Sequence, residues 1–368
     1  MEKLSSYKTR NSNIELLRVL SMLMIVAYHY SIYGFYAEDL MYTNNKLFVD
    51  IFGMGGKIGT DLFVLISGYY MVNSRFTFKK ILTLLGQVWF YSIGALLIFF
   101  LLKGEAVLNG EVLKISLFPI LSGHYWFITY YVILLFCSQY LNILVKNLSK
   151  RQHLTLCILL FSLCSFLPEF LHIKYADGSL PLFIALYVSA AYCRLHLVAD
   201  KKLLKISTLA LLLLVAFCVM RIVVTDVIGQ QNRDSDMLAA AVGFMGAYSP
   251  FAFLIAVFLL VIFSKAEGKH NRAVAFLGSV SFGVYLFHDN ALVREILWQN
   301  VLHTAEHATS NYLVIHAVLS VFGIFAAGAI LEVIRQIAVA PLWEKCVLFA
   351  ESGIELKGKT DENQIAKS

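Results

Sequence analysis

The sequence predicts an all-α fold, namely a polytopic membrane helical bundle with about ten transmembrane helices. The first reason is composition: 59% of the 368 residues are hydrophobic and only 15% are charged, whereas soluble domains are about 45–50% apolar and about 25% charged. The second is that the apolar residues form long runs, and the charges fall in the gaps between these runs. Lipid is therefore the expected solvent for most of the chain.

The length of each apolar run predicts a membrane span. A helix needs about 20 apolar residues to cross the hydrocarbon core, and these runs are too long and too continuously apolar for barrel strands. Only helices or closed barrels satisfy backbone groups in lipid, so the runs are expected to be helical. The predicted spans cover residues 14–34, 57–73, 80–102, 124–144, 153–172, 179–195, 203–225, 240–264, 273–291 and 310–335.

The placement of lysine and arginine predicts the orientation of the spans. Of the 30 Lys and Arg residues, 21 fall in segments on the side of both termini and 7 on the opposite side, while Arg18 and Arg221 lie inside spans. Because cytoplasmic loops carry an excess of these residues, both termini are expected in the cytoplasm. The first span has no small-residue cleavage site and is expected to remain as a signal anchor. Residues 1–345 are assigned to one transmembrane domain, and residues 346–368 to a polar cytoplasmic tail.

Several other classes of site are not indicated. The net charge of +6 is spread over the gaps between spans, so nucleic acid is not an expected partner. Five of the six cysteines lie inside apolar runs and none forms a C-x-x-C pair, which favours buried thiols over a disulfide or metal framework. The segment from His303 to His307 matches an H-x-x-E-H zinc pattern. Few candidate third ligands lie near it, so no metal site is expected.

The first predicted span contains charged residues, which are costly in lipid and indicate function by default. Arg18 and His29 are eleven residues apart, a separation that returns to within about 20° of the same direction and rises about 16 Å along a helix. They therefore share one helix face at two depths, and Glu15 lies on a neighbouring part of that face. The alternatives are a snorkelling cation for Arg18 and a satisfied interfacial histidine for His29.

The alternating direction of successive spans predicts which polar side chains share a depth. One set is expected near the outer surface: His29, Asp61, His124, Trp126 and His288. A second set is expected on the cytoplasmic side: Arg18, Arg75 and Lys79. Trp126 is equally compatible with an aromatic belt at the interface, and His288 with a structural hydrogen bond.

Four segments, in order along nearly the whole chain, resemble motifs of the membrane acyltransferase-3 family. The resemblance is to the members that act as polysaccharide O-acetyltransferases. Together the four segments make a fairly specific signal. They are the Arg18–ten residues–His29 spacing preceded by Glu15, the stretch from Asp61 to Tyr69, the stretch from His124 to Phe127, and the stretch from Ser279 to His288.

The resemblance implies transfer of an acyl group, usually acetyl, from cytoplasmic acyl-CoA to a hydroxyl of a cell-envelope polysaccharide or glycolipid, in a bacterial-type cytoplasmic membrane. Acyl-CoA is then the donor substrate, and no bound cofactor is expected. The expected catalytic residues are His29, as general base because imidazole titrates near neutrality, and Asp61, which would orient it. The expected donor-binding residues are Arg18, Glu15, Arg75 and Lys79. The expected acceptor-binding residues are His124, Trp126, Tyr285 and His288.

Two other functions stay open beside the acyltransferase. Buried charged residues also mark transport routes, so a transporter or flippase for a lipid-linked glycan is one alternative. A subunit of an export complex that carries a vestigial site is the other. A transporter more often shows broken helices and an inverted repeat, and neither is evident in the sequence. The sequence leaves the acceptor glycan, its hydroxyl and the choice between acetyl- and succinyl-CoA open.

Overall fold

The computed structural model describes residues 11–34, 41–171 and 179–349, and within these ranges the chain is helical and contains no β-strand. The helices are α1 Ser12–Tyr33, α2 Asn44–Gly53, α3 Gly56–Met71, α4 Phe78–Lys103, α5 Gly110–Leu117, α6 Trp126–Asn147, α7 Lys150–Phe161, α8 Leu167–Leu171, α9 Ser179–His196, α10 Lys201–Asn232, α11 Ser235–Ala240, α12 Pro250–Lys265, α13 Arg272–His288, α14 Ala291–Glu295 and α15 Leu313–Ala338. Residues 340–349 are also helical. The predicted all-α class is confirmed.

Seven helical segments of the described chain are long and apolar enough to cross a membrane. They are Ser12–Tyr33, Phe78–Lys103, Trp126–Asn147, Lys150–Leu171, Lys201–Asn232, Ser235–Lys265 and Leu313–Ala338. The other three predicted spans correspond to α3, α9 and α13, which are shorter, with 16, 18 and 17 residues. The count of ten is therefore not confirmed.

Burial explains why these three helices do not have the length and composition of lipid-facing spans. Most side chains of α3 and α9 are buried, and so are those on one face of α13. Helices that pack against other helices in a membrane use small and polar residues at their contacts. By contrast, only 17% of the apolar window is buried in the segments Lys150–Leu171 and Lys201–Asn232. Those two segments present their apolar side chains to lipid.

Helix α1 packs between α3 and α13. Glycine makes the first of these contacts possible, because a Cβ at Gly59 would lie 2.5 Å from the carbonyl oxygen of Ser21. In the second contact, a Cβ at Gly278 would overlap the Glu15 carboxylate. Small residues at these positions allow the backbones to approach closely. As a result, the polar face of α1 is directed into the bundle.

The two ends of the chain are described only in part. Lys3, Lys8 and Arg10, which contribute to the predicted charge bias, lie outside the described residues. The helix at 340–349 returns to the bundle, where Trp343 Nε1 donates a hydrogen bond to the carbonyl oxygen of Leu82, at 2.9 Å. Of the predicted tail at 346–368, residues 350–368 lie outside the described residues.

Candidate active site

Helices α1 and α13 run parallel and in register. At their N-terminal ends, the Asn271 amide donates a hydrogen bond to Ser12 Oγ at 2.7 Å. Near their C-terminal ends, His29 Nδ1 lies 2.9 Å from His288 Nε2. Both contacts join residues 259 positions apart, so the two helices keep one register over their shared length. This register brings the two histidines together inside the bundle.

A backbone carbonyl determines the tautomers of the histidine pair. His288 Nδ1 lies 2.6 Å from the carbonyl oxygen of Val284. A carbonyl oxygen can only accept, so His288 Nδ1 carries a proton, and with both rings neutral His288 Nε2 is an acceptor. His29 Nδ1 is then the donor in the contact between the rings. The lone pair of His29 lies on Nε2, which makes no hydrogen bond within the described residues.

An acid and a cation lie beside this pair. Asp289 Oδ1 is 4.0 Å from His29 Nδ1 and 3.4 Å from Arg294 Nη1. Arg294 Nη1 also donates to the Tyr33 hydroxyl at 3.1 Å, and its guanidinium carbon lies 4.5 Å from the centre of the Tyr33 ring. The carboxylate is therefore held where it can stabilise a positive charge on His29.

His29 lines a cavity of about 220 Å³ whose walls are largely aromatic. Its polar lining comes from Tyr28, His29, Tyr33, Thr60, His124, Trp126, Tyr285, Asp289 and Arg294. The Tyr285 hydroxyl and His124 Nε2 are buried close to Asp289, and neither makes a hydrogen bond of good geometry in the part of the chain that the structure describes. Buried polar atoms are nearly always paired, so these two positions are available to a bound molecule.

A larger cavity of about 720 Å³ adjoins the first. The two share Tyr28, Ile32, Thr60 and Trp126 as lining residues. The polar wall of the larger cavity includes Lys46, Asp50 and Lys57, and each of these cations is paired with an aspartate. Burial raises the pKa of Asp50 to about 6, against the opposing effect of its hydrogen bond with Lys46. The larger cavity therefore has room for a polyhydroxylated group but offers no unpaired cation among its described residues.

Asp61 does not occupy the position expected for an orienting acid. It is fully buried in α3 and forms an ion pair with Lys57, one helical turn away. Its second oxygen, Oδ2, is without a partner in the described chain. Hydrogen bonding to His29 comes from His288, and the carboxylate 4.0 Å from His29 is Asp289. Asp61 is paired with Lys57 within one helix instead, as their i,i+4 spacing allows.

The expected donor-binding residues lie toward the opposite end of α1. Arg18 Nη1 donates to Glu15 Oε2 at 2.7 Å, and Glu15 is only 2% exposed. Arg18 is half-buried, so it and His29 both face the interior, as their spacing predicts. Arg75 and Lys79 are exposed in the segment around the start of α4.

The expected acceptor-binding residues gather at the cavities. His124, Trp126 and Tyr285 line the smaller cavity, and Trp126 lines both. His288 lies behind His29 and is fully buried. Sequence analysis assigned no role to Arg294 or Asp289. The sequence offers one signal for Arg294. Cations are rare on the side expected to be extracellular, and Arg294 follows His288, which belongs to a candidate motif, by six residues.

Comparison with known families and proteins adds one match. The model of the acyltransferase-3 family, described as an acyltransferase domain, matches residues 11–333. This range contains both histidines of the pair and all residues that line the two cavities. No curated protein matches, and no solved structure matches.

Proposed function

We propose the following function for this chain, which belongs to the acyltransferase-3 family of membrane acyltransferases. It moves an acyl group, acetyl in the first instance, from cytoplasmic acyl-CoA to a hydroxyl of a cell-envelope polysaccharide or glycolipid. One observation carries the proposal: a carbonyl-anchored histidine, His288, leaves the Nε2 lone pair of His29 free in a buried cavity. A base of this kind is what attack by a hydroxyl on a thioester requires.

In the proposed reaction, His29 handles a single proton. Its Nε2 takes the proton from the acceptor hydroxyl as that oxygen attacks the thioester carbonyl carbon. The bond between the carbonyl carbon and sulfur then breaks, and the same proton passes from His29 to the departing CoA thiolate. The products are an ester and free CoA, and His29 returns to its neutral form.

Positive charge on His29 is stabilised by its neighbours in this proposal. When Nε2 gains the proton, Nδ1 still donates to His288, and Asp289 lies 4.0 Å away. A carboxylate near an imidazole holds the ring orientation and stabilises the imidazolium without itself taking the proton. Arg294 in turn holds Asp289 in place.

Two buried donors are positioned for the negative charge that develops on the carbonyl oxygen. The Tyr285 hydroxyl, and His124 Nε2 when it carries the ring proton, make no hydrogen bond of good geometry in the described chain and line the same cavity as His29. Donors aimed in advance at a developing oxyanion are usually the largest single contribution to such catalysis. The acceptor sugar would lie in the larger cavity, with its ring against Trp126 where the two cavities meet.

Mass spectrometry of surface glycans tests this function. Deleting the gene should remove one acyl group per modified sugar, and the mass of that group identifies the donor class. Reintroducing the wild-type gene should restore the group. Variants His29→Gln and Tyr285→Phe, at normal membrane levels, should lower acylation by roughly 10²-fold or more.

His270→Gln is the matched control, because His270 is exposed and distant from both cavities, and it should acylate normally. Wild-type acylation by His29→Gln would refute the assignment of the base. Unaltered glycan masses after deletion, with glycan retained inside the cell, would favour the flippase alternative.

A further inference from the structure

Three cations from three helices converge on the C-terminal end of α3. Arg194, in the last turn of α9, donates from Nη1 to the Tyr69 hydroxyl at 3.0 Å, and its guanidinium carbon lies 4.7 Å from the centre of the Tyr69 ring. Lys265, the last residue of α12, places Nζ 5.9 Å from the same ring centre. Arg18 and Arg194 both act electrostatically on the neighbouring Tyr70 hydroxyl.

This group carries more positive charge than its neighbours balance. Arg18 is paired with Glu15, but Arg194 and Lys265 form no ion pair with a carboxylate among the described residues. Arg194 is exposed, but Tyr69, which is only 3% exposed, holds it through both a hydrogen bond and a ring face. The result is a fixed site with net positive charge, which favours an anion.

An ordinary surface distribution of cations does not explain this arrangement. Lys and Arg are common where helices leave the membrane on the cytoplasmic side. Lys146 and Arg151 are examples, and unlike Arg194 neither makes a side-chain hydrogen bond, ion pair or ring contact in the described chain. Arg194 and Lys265 come from helices far apart in sequence, yet both approach one buried tyrosine. Convergence of this kind is expected of a binding site, and not of cations that only mark the cytoplasmic side of the membrane.

The cations and the proposed base lie near opposite ends of α1. Along α1, Arg18 and His29 are separated by about 16 Å, and Met22 and Ile25, which lie between them, line the cavity of His29. On the facing side, Tyr131 of α6 lies within electrostatic range of Arg18, and Phe127, one turn earlier, lines that cavity. Side chains of α1 and α6 thus extend from the end of the bundle that holds Arg18 to the cavity of His29.

This layout matches the shape of an acyl-CoA. Its phosphates lie at one end, its thioester at the other, and a long uncharged arm joins them. We propose that Arg194 and Lys265, together with Arg18, bind the phosphate groups of the donor. The proposal rests on the proposed function and extends it, since neither Arg194 nor Lys265 is marked by the motifs of the sequence. Arginine suits this task because its planar fork binds phosphate oxygens in pairs.

Direct binding to the purified full-length protein tests this site. The protein is placed in nanodiscs of zwitterionic phosphatidylcholine and titrated calorimetrically with coenzyme A, with adenosine 3′,5′-bisphosphate and with pantetheine. The Arg194→Gln/Lys265→Gln double variant should bind coenzyme A and the bisphosphate roughly 10- to 100-fold more weakly, as expected for the loss of charge-assisted hydrogen bonds. Pantetheine, which lacks phosphate, should bind both proteins equally.

Two further variants separate a lost contact from a lost fold. The Lys146→Gln/Arg151→Gln double variant removes the same charge from exposed positions on the same side of the bundle, and it should bind coenzyme A like the wild type. Lys265→Arg keeps the charge at the site and should retain most of the affinity. A uniform loss of affinity in all variants would overturn the proposal.

The remaining outcomes distinguish this site from the proposed function and from a lipid site. If the wild type fails to bind coenzyme A, the proposed donor is wrong and this site falls with it. If the wild type binds and the Arg194→Gln/Lys265→Gln variant binds equally well, only the phosphate site is refuted. A variant whose coenzyme A affinity is unchanged, but which loses stabilisation by anionic phosphatidylglycerol nanodiscs, would identify a lipid headgroup site instead.

Discussion

The carbonyl oxygen of Val284 determines which nitrogen of His29 carries the lone pair, and in our proposal that nitrogen is the base. A carbonyl has two lone pairs, so Val284 can accept a bond from the His288 ring in addition to a helical bond. His288 passes this constraint to His29 through the 2.9 Å contact between the rings. The arrangement has the logic of a catalytic triad, with a neutral histidine as the orienting group and Asp289 close enough to stabilise positive charge.

The ion pair of Lys57 and Asp61 gives a prediction that separates stability from chemistry. Asp61 is fully buried and the Lys57 side chain is 13% exposed, so Asp61→Asn leaves a largely buried cation unpaired and should cost about 3 kcal/mol of stability. Replacing both residues with apolar ones, Lys57→Met with Asp61→Leu, should recover most of that loss because no charge remains buried. Thermal unfolding in detergent measures the stability, and glycan acylation in cells measures the activity.

The same pair of variants also decides between the two roles for Asp61. With His288 and Asp289 as the partners of His29, the folded double variant should remain active, and any loss should appear as weaker acceptor binding, because Lys57 lines the larger cavity. A double variant that is as stable as the wild type but inactive would return Asp61 to the catalytic role expected from sequence.

At the scale of elements, α1 holds the proposed base, and the two helices packed against α1 determine its position. Helix α13 supplies His288 in register, and α3 presses against the opposite side through Gly59. The short lengths of α3 and α13 follow from this task, since neither helix has to face lipid all round. The helices that line the site are therefore the ones that a search for long apolar spans does not identify.

Gly59 offers a test of this packing. A Cβ there would lie 2.5 Å from the backbone oxygen of Ser21, and a backbone atom cannot move aside cheaply. Gly59→Ala should therefore push α1 away from α3, cost about 1–3 kcal/mol and lower acylation together with thermal stability. Gly94→Ala is the control, because a Cβ at Gly94 meets nothing within 4 Å; it should leave both measurements unchanged. Equal behaviour of the two variants would show that the close approach does not matter.

At the scale of the whole molecule, the histidine pair lies toward one surface of the bundle, and the cations around Tyr69 lie toward the other. With both termini in the cytoplasm, as the charge bias predicts, the cations would face cytoplasmic acyl-CoA and the larger cavity would lie toward the envelope. In our proposal, the acyl group passes along α1, from the end that holds Arg18 to the cavity lined by His29.

This orientation remains a prediction, and a C-terminal fusion tests it. Green fluorescent protein fused after residue 368 should fluoresce, because it folds in the cytoplasm and fails to fold when exported unfolded. A fusion of alkaline phosphatase at the same point should be inactive for the opposite reason. An active phosphatase fusion would reverse the orientation and place the cations on the envelope side, where no acyl-CoA reaches them.

By itself, the sequence determined the properties that follow from one helix at a time. Composition and run length established the helical membrane class, and the eleven-residue spacing put Arg18 and His29 on one inward face, because helix geometry depends only on local residue number. The i,i+4 spacing of Lys57 and Asp61 is equally local, but their ion pair was not predicted, and Asp61 was expected beside His29 instead.

Only the tertiary structure decided which residues meet across helices. His29 and His288 are 259 positions apart, and their contact depends on how closely glycines let α1 approach its neighbours. The same holds for Asp289 and Arg294 at the base, and for Arg194 and Lys265 around Tyr69. Spacing along a chain gives the direction and depth of a side chain, but hydrogen-bond distance between helices is a result of packing.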